Sequence, residues 1–120
     1  MLEDGTPIFV QVAEQLRHAI LTGAYAEGAQ VPSINELALF YRINPATANK
    51  AVAELVSDGV LAKRRGIGMF VADGARERIA TRRRGDLVTK HIQPLVNEAR
   101  ALGIDTATLI ELVTKEAHTP

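Results

Sequence analysis

Two helix-start signals stand close together in the segment VPSINELALFYRINPATANK, and they constrain the fold more than any other feature of the chain. Ser33 followed by Glu36 is a capping box: the hydroxyl accepts from the N3 amide while the glutamate reaches back to the cap. Asn44 followed by Pro45 joins a favoured N-cap to the residue whose fixed φ suits the first helical position. A helix opened at Ser33 must therefore stop before Asn44. The pair predicts a short second helix, about Ile34 to Tyr41, then a third helix that Gly59 closes.

The flanking segments supply packing partners. Pro7 to Gly23 reads as a first helix, with Val12, Leu16, Ala19 and Ile20 at helical spacing and Gln11, Glu14, Gln15 and Arg17 on its polar side. In the third helix Ala48, Ala51, Val52, Leu55 and Val56 follow the pattern of a buried stripe. The far side is left to Ala46, Lys50 and Ala53, flanked by Thr47 and Asn49. Val60 to Arg64 and Met69 to Ala72 are strand-like runs joined by Arg65-Gly66-Ile67-Gly68, a glycine-containing hairpin connection.

Asp73-Gly74 breaks the chain, and a long charged helix is expected from Ala75 to Leu102, weakened or kinked at Gly85 and Pro94. Val88, Ile92, Leu95, Ala99 and Leu102 make a heptad-like seam along it. After Gly103, Asp105 or Thr106 caps a last helix, Ala107 to Glu116, whose wide apolar face carries Leu109, Ile110, Leu112 and Val113. A helical hairpin of about 45 residues cannot bury such faces alone, so these nine positions are read as a self-association surface.

With 120 residues the chain is expected to form one ordinary domain with a small appendage, which leaves no room for a large second ligand-binding domain. The absence of cysteine excludes disulfides and thiol nucleophiles and points to the cytoplasm. No apolar run approaches the roughly 18 residues of a membrane span, and the start MLEDGTP is not signal-like, so neither targeting nor membrane association is expected. His18, His91 and His118 lie apart in sequence, so no metal site or cofactor is expected. No Ser/His/Asp order, paired catalytic carboxylates or Walker motif is present, so the chain is not read as an enzyme.

Formal net charge is zero, yet residues 61–84 hold eight bases and two acids, whereas residues 1–40 hold one base and five acids. A polyanion responds to that local field rather than to the total. Two helices joined by a brief turn, the second with small and polar residues on its free face, meet the demands of a helix-turn-helix entering a major groove about 12 Å wide. Taken alone, a surface helix with a solvated polar face accounts for the pattern equally well. The hairpin decides between them, because three helices followed by two strands is the winged form of the motif. GIGMFV does not serve as a dinucleotide fingerprint: it lacks the third glycine and opens no helix.

The candidate DNA-binding residues are therefore Asn44, Thr47, Asn49 and Lys50 on the recognition helix, Ser33 and Asn35 at the second helix, and Lys63, Arg64, Arg65, Gly66, Ile67 and Gly68 in the wing. Arg82-Arg83-Arg84 is open to two readings, further phosphate contact or a solvated helix face.

The run from Pro7 to Val71 resembles the amino-terminal domain of the GntR family of bacterial transcription regulators. It carries the opening P-I-aromatic, the A-I-L-x-G helix end, the V-P-S-x-x-E-L-A box, the N-P-x-T helix start and the D-G-x-L-x-x-R-x-G-x-G-x-F-V wing. The tail is similar to that of the YtrA subfamily, in which two dimerising helices replace the usual effector domain. The resemblance implies a homodimeric repressor binding a palindromic operator in double-stranded DNA, often of its own operon and with transporter genes among its targets. Family members often carry Arg where this chain has Asn35 and Asn49, which implies an operator less dependent on guanine, since asparagine pairs bidentately with adenine.

The expected architecture is mainly α with a small β-hairpin: a winged helix-turn-helix domain over residues 1–73 and a two-helix dimerisation tail over residues 74–120. The competing expectation, prompted by the zero net charge and the missing arginines, is a winged-helix protein-interaction adaptor that has lost DNA binding. No motif marks a small-molecule effector; one would have to bind at the dimer interface or in the cleft between domain and tail.

Overall fold

The computed structural model of the chain describes residues 5–120. Helix α1, Ile8–Leu21, buries Val12, Ala13, Leu16 and Ile20. Pro7 stands one place outside the helix as its N-cap, and the helix closes at Thr22. Helix α2, Ile34–Tyr41, opens with the capping box: Ser33 Oγ accepts from the Glu36 N–H at 3.1 Å, and Glu36 Oε1 accepts from the Ser33 N–H at 3.0 Å. The Ser33 amide and hydroxyl together hold the Glu36 carboxyl below its ordinary range.

Arg42 ends α2 in the left-handed region, with φ 56° and ψ 50°. This conformation costs an L-residue roughly 1 to 2 kcal/mol and reverses the chain sharply. Helix α3, Pro45–Ser57, begins three residues later, with Asn44 Oδ1 accepting from the Ala46 N–H at 2.8 Å. Both α1 and α2 pack on α3. The contact is close because Ala48 and Ala51 are fully buried and carry only a methyl group each.

Strands β1, Leu61–Arg64, and β2, Gly68–Val71, pair antiparallel, with Leu61 opposite Val71 and Arg64 opposite Gly68. The other edge of β2 is bridged by the connection between α1 and α2: Gln30 faces Phe70, and the Val31 N–H donates to the Met69 carbonyl at 2.9 Å. The connection's sequence, GAYAEGAQVP, is rich in turn residues and carries no strand signal, because so short a pairing leaves no alternating pattern. Val60, Leu61 and Val71 close the core from the strand side.

Helix α4, Ala75–Leu87, adds Ala75 and Ile79 to the same core. The chain divides into two compact units between Thr81 and Arg82. A π-helical turn over Val88–Ile92 follows α4 and leads into α5, Gln93–Ala101, so the helix expected from Ala75 to Leu102 is interrupted next to Pro94, one of the two positions where weakening or a kink was expected, and runs through Gly85 without a break. Pro94 is the reason: it lacks an N–H, and in α geometry its ring would meet the carbonyl of Lys90, a conflict that a locally wider turn relieves. Helix α6, Thr106–Ala117, is capped by Asp105, whose Oδ1 accepts from the Thr108 N–H at 2.8 Å. Among residues 82–120 only Ala99 is buried.

Arg17 departs from its expected place on the polar side of α1, being only 6% exposed. It lies beside the apolar stripe, where the end of α3 delivers Asp58 at 2.5 Å and Glu54 at 3.9 Å, while Glu14 on its own helix stands at 2.6 Å. Burial by itself would lower the guanidinium pKa; the bonds to Asp58 and Glu14 outweigh it and hold it above its ordinary value. Glu54 Oε2 is buried without a hydrogen-bond partner, which raises the cost of removing the cation beside it. Arg17→Ala should destabilise the protein by about 2 kcal/mol in urea unfolding, below the figure for a fully buried pair because its acidic partners remain partly exposed. A loss under about 0.5 kcal/mol would mean that water substitutes for the guanidinium.

Candidate nucleic-acid interface

The free side of α3 is lined by small and polar groups, as its periodicity predicts: Ala46, Asn49, Lys50 and Ala53 are exposed and Thr47 is half-buried. Asn44 uses Oδ1 as the helix cap, which leaves its amide N–H groups as donors at the leading end. Lys50 leans toward α1, its Nζ 4.2 Å from the centre of the Phe9 ring. Such a contact orients the ammonium without neutralising it.

The hairpin carries Lys63, Arg64 and Arg65, all exposed, and its tip is closed by the Ile67 N–H donating to the Arg64 carbonyl at 3.0 Å. The Arg64 guanidinium lies 4.2 Å over the Phe70 ring. Ile67 projects from the tip, 64% exposed between Gly66 and Gly68. Arg82, Arg83 and Arg84 are exposed on α4.

Between α3 and the hairpin runs a groove of about 430 Å³. It brings together five of the sequence-predicted residues: Ser33, Asn49, Lys63, Ile67 and Gly68. Asn35, Asn44, Thr47, Lys50, Arg64, Arg65 and Gly66 lie outside its lining. Gln30, Ala53 and Val56 are among the other residues of its walls. Val56 had been placed in the buried stripe of α3, yet it is 40% exposed. Eight residues after Ala48 it has turned about 80° off the stripe, at the margin where periodicity stops discriminating. Gln30 was missed because it sits in an irregular segment whose pairing to β2 exists only in three dimensions.

A helix edge made of alanines and short amides can approach base edges closely, and a hairpin with three adjacent cations can neutralise phosphates. Among the described residues no group of three His, Cys, Asp or Glu is placed to hold a metal ion.

The second unit contains a different surface. Leu95, Ala99, Leu102, Ile104, Leu109, Leu112 and Val113 line an apolar groove of about 600 Å³ between α5 and α6. Of the nine positions read as a self-association surface, Leu95, Ala99, Leu102, Leu109, Leu112 and Val113 line it, while Val88, Ile92 and Ile110 are exposed outside it.

Residues 9–71 match the family described as bacterial regulatory proteins, gntR family. Over 108 residues the chain is 28% identical to the HTH-type transcriptional repressor YtrA of Bacillus subtilis (strain 168), covering 90% of this chain and 82% of that one. A GntR family transcriptional regulator from Listeria monocytogenes superposes with a TM-score of 0.75 at 28% identity, covering 95% of this chain and 98% of the other. The crystal structure of AraR(DBD) in complex with operator ORX1 superposes with a TM-score of 0.56 at 33% identity, over 60% of this chain and 87% of that one.

Proposed function

This chain belongs to the gntR family of bacterial regulatory proteins, and from that membership we propose how its residues divide the task of holding DNA. The protein is a DNA-binding transcriptional regulator. In our reading α3 enters the major groove, where Asn44, Thr47 and Asn49 meet base edges and Lys50 supplies charge at the flank. Ser33 and Asn35 approach the backbone from α2. Lys63, Arg64 and Arg65 bind phosphates, and the Gly66-Ile67-Gly68 tip reaches the adjacent minor groove. The observation that carries this reading is the groove on which Ser33, Asn49, Lys63 and Ile67 converge.

The regulator acts in this proposal as a cytoplasmic homodimer that represses by occupying a palindromic operator, in its own operon and with transporter genes among its targets. Support for the dimer comes from the groove between α5 and α6, which leaves Leu102, Leu112 and Val113 exposed on a surface too apolar for a solvated tail. Two copies would present recognition helices to half-sites about one helical turn apart, roughly 34 Å. Nothing in this scheme requires a cofactor or a catalytic step. None of the helices among the described residues is long and apolar enough to cross a membrane.

With asparagine at positions 35 and 49, binding selection should return half-sites that depend little on guanine; a guanine-rich core contacted by these positions would contradict the assignment. The Lys63/Arg64/Arg65→Ala variant should lose affinity for all sequences alike, with the slope of log K against log salt reduced by about 2 to 3. Unchanged binding would remove the wing assignment, and wild-type protein that fails to retard any duplex at low salt would favour an adaptor without DNA binding. Leu112→Glu should shift sedimentation from dimer to monomer and weaken operator binding by at least roughly tenfold, because one half-site is lost.

A further inference from the structure

We propose that Gln30 is the positioning residue of the wing, its side-chain amide anchoring the hairpin tip so that Lys63, Arg64 and Arg65 meet DNA in one fixed arrangement. This inference rests on the reading of the hairpin as a DNA-binding wing. Gln30 Nε2 donates to the Ile67 carbonyl at 3.1 Å, across 37 residues of chain. An isolated two-stranded ribbon is marginally ordered in water, and the tip lies at the end farthest from the core residues Leu61 and Val71. The Gln30 side chain ties that end back to the segment that leads into α2.

Gly68 shows how closely the amide is seated. Its φ is +143°, and a Cβ built there would come within 2.5 Å of Gln30 Nε2. A Cβ at Gly66 would meet nothing within 4 Å. The two glycines of the tip therefore serve different ends: Gly66 permits the turn, while Gly68 also leaves room for the glutamine. Main-chain pairing of Gln30 with Phe70 fixes where the side chain starts, and Phe70 is also the ring beneath the Arg64 guanidinium. One short segment thus holds the tip carbonyl and the ring on which a wing cation rests. Holding a flexible tip in its bound geometry before binding reduces the ordering cost of each phosphate contact.

A mutant cycle tests the proposal, with operator affinity measured for wild type, Gln30→Ala, Lys63/Arg64/Arg65→Ala and their combination, and thermal melting as the control for folding. Gln30→Ala should weaken binding roughly fivefold, the size expected for one lost hydrogen bond, with Tm within about 2 °C of wild type. Gln30→Met, of similar length but without a donor, should behave the same way. In the triple-alanine background the Gln30 substitution should have no further effect, because the cations it positions are gone. Full affinity in Gln30→Ala, or an equal loss in both backgrounds, would overturn the proposal; the second result would mark a direct contact or a scaffold role. If the triple-alanine variant itself binds like wild type, it is the wing reading that fails.

Discussion

The close contact of α3 with α1 sets the geometry on which the rest of the first unit depends. Ala48 and Ala51 have no side-chain atoms beyond Cβ, and the face of α3 carrying them shares one buried core with Val12, Ala13 and Leu16 of α1. Larger residues there would push α3 outward and displace Asn44, Thr47 and Asn49 together. The same helix ends at Asp58, where the bond to Arg17 ties its C-terminus to α1. Position is thus set by apolar packing along the helix and by charge at its end.

Charge is divided by role rather than averaged. Arg17 is neutralised inside the fold by carboxylates on α1 and α3, whereas Lys63, Arg64 and Arg65 are exposed on a hairpin whose strands carry no acidic residue. A net charge of zero therefore coexists with a locally positive wing. The acids that balance it lie largely in residues 1–40 and 85–120, outside the wing segment. In the proposed reading, non-specific attraction is correspondingly confined to a small area, and orientation on DNA would depend on how firmly that area is held.

The second unit has the opposite economy. Its last helix is capped by Asp105, and its helices are locally regular except at the π turn that Pro94 enforces, yet only Ala99 is buried. Capping and propensity make helices form but do not stabilise a helical hairpin whose apolar side chains face water. The apolar groove of about 600 Å³ between α5 and α6 is the feature on which the proposed association rests.

Much of the architecture was legible because its signals are local. A capping box, an Asn-Pro start and a glycine-bearing hairpin connection each act within a few residues, so α2, α3 and the antiparallel pair followed from spacing alone. The candidate DNA-binding residues followed from the same spacing, since the free face of a helix is whatever its stripe leaves over. Tertiary structure alone decided the features that depend on segments far apart in the chain. Arg17 became an interior cation because α3 brings Asp58 to it, 41 residues away. Val56 moved from core to groove because it stands at the edge of its stripe, where burial depends on what packs opposite. Gln30, in a segment without periodicity, acquired its partners because folding sets β2 beside it and places the Ile67 carbonyl within reach of its amide. Local chemistry is written in neighbouring residues; the partner of a side chain is chosen only when the chain has closed on itself.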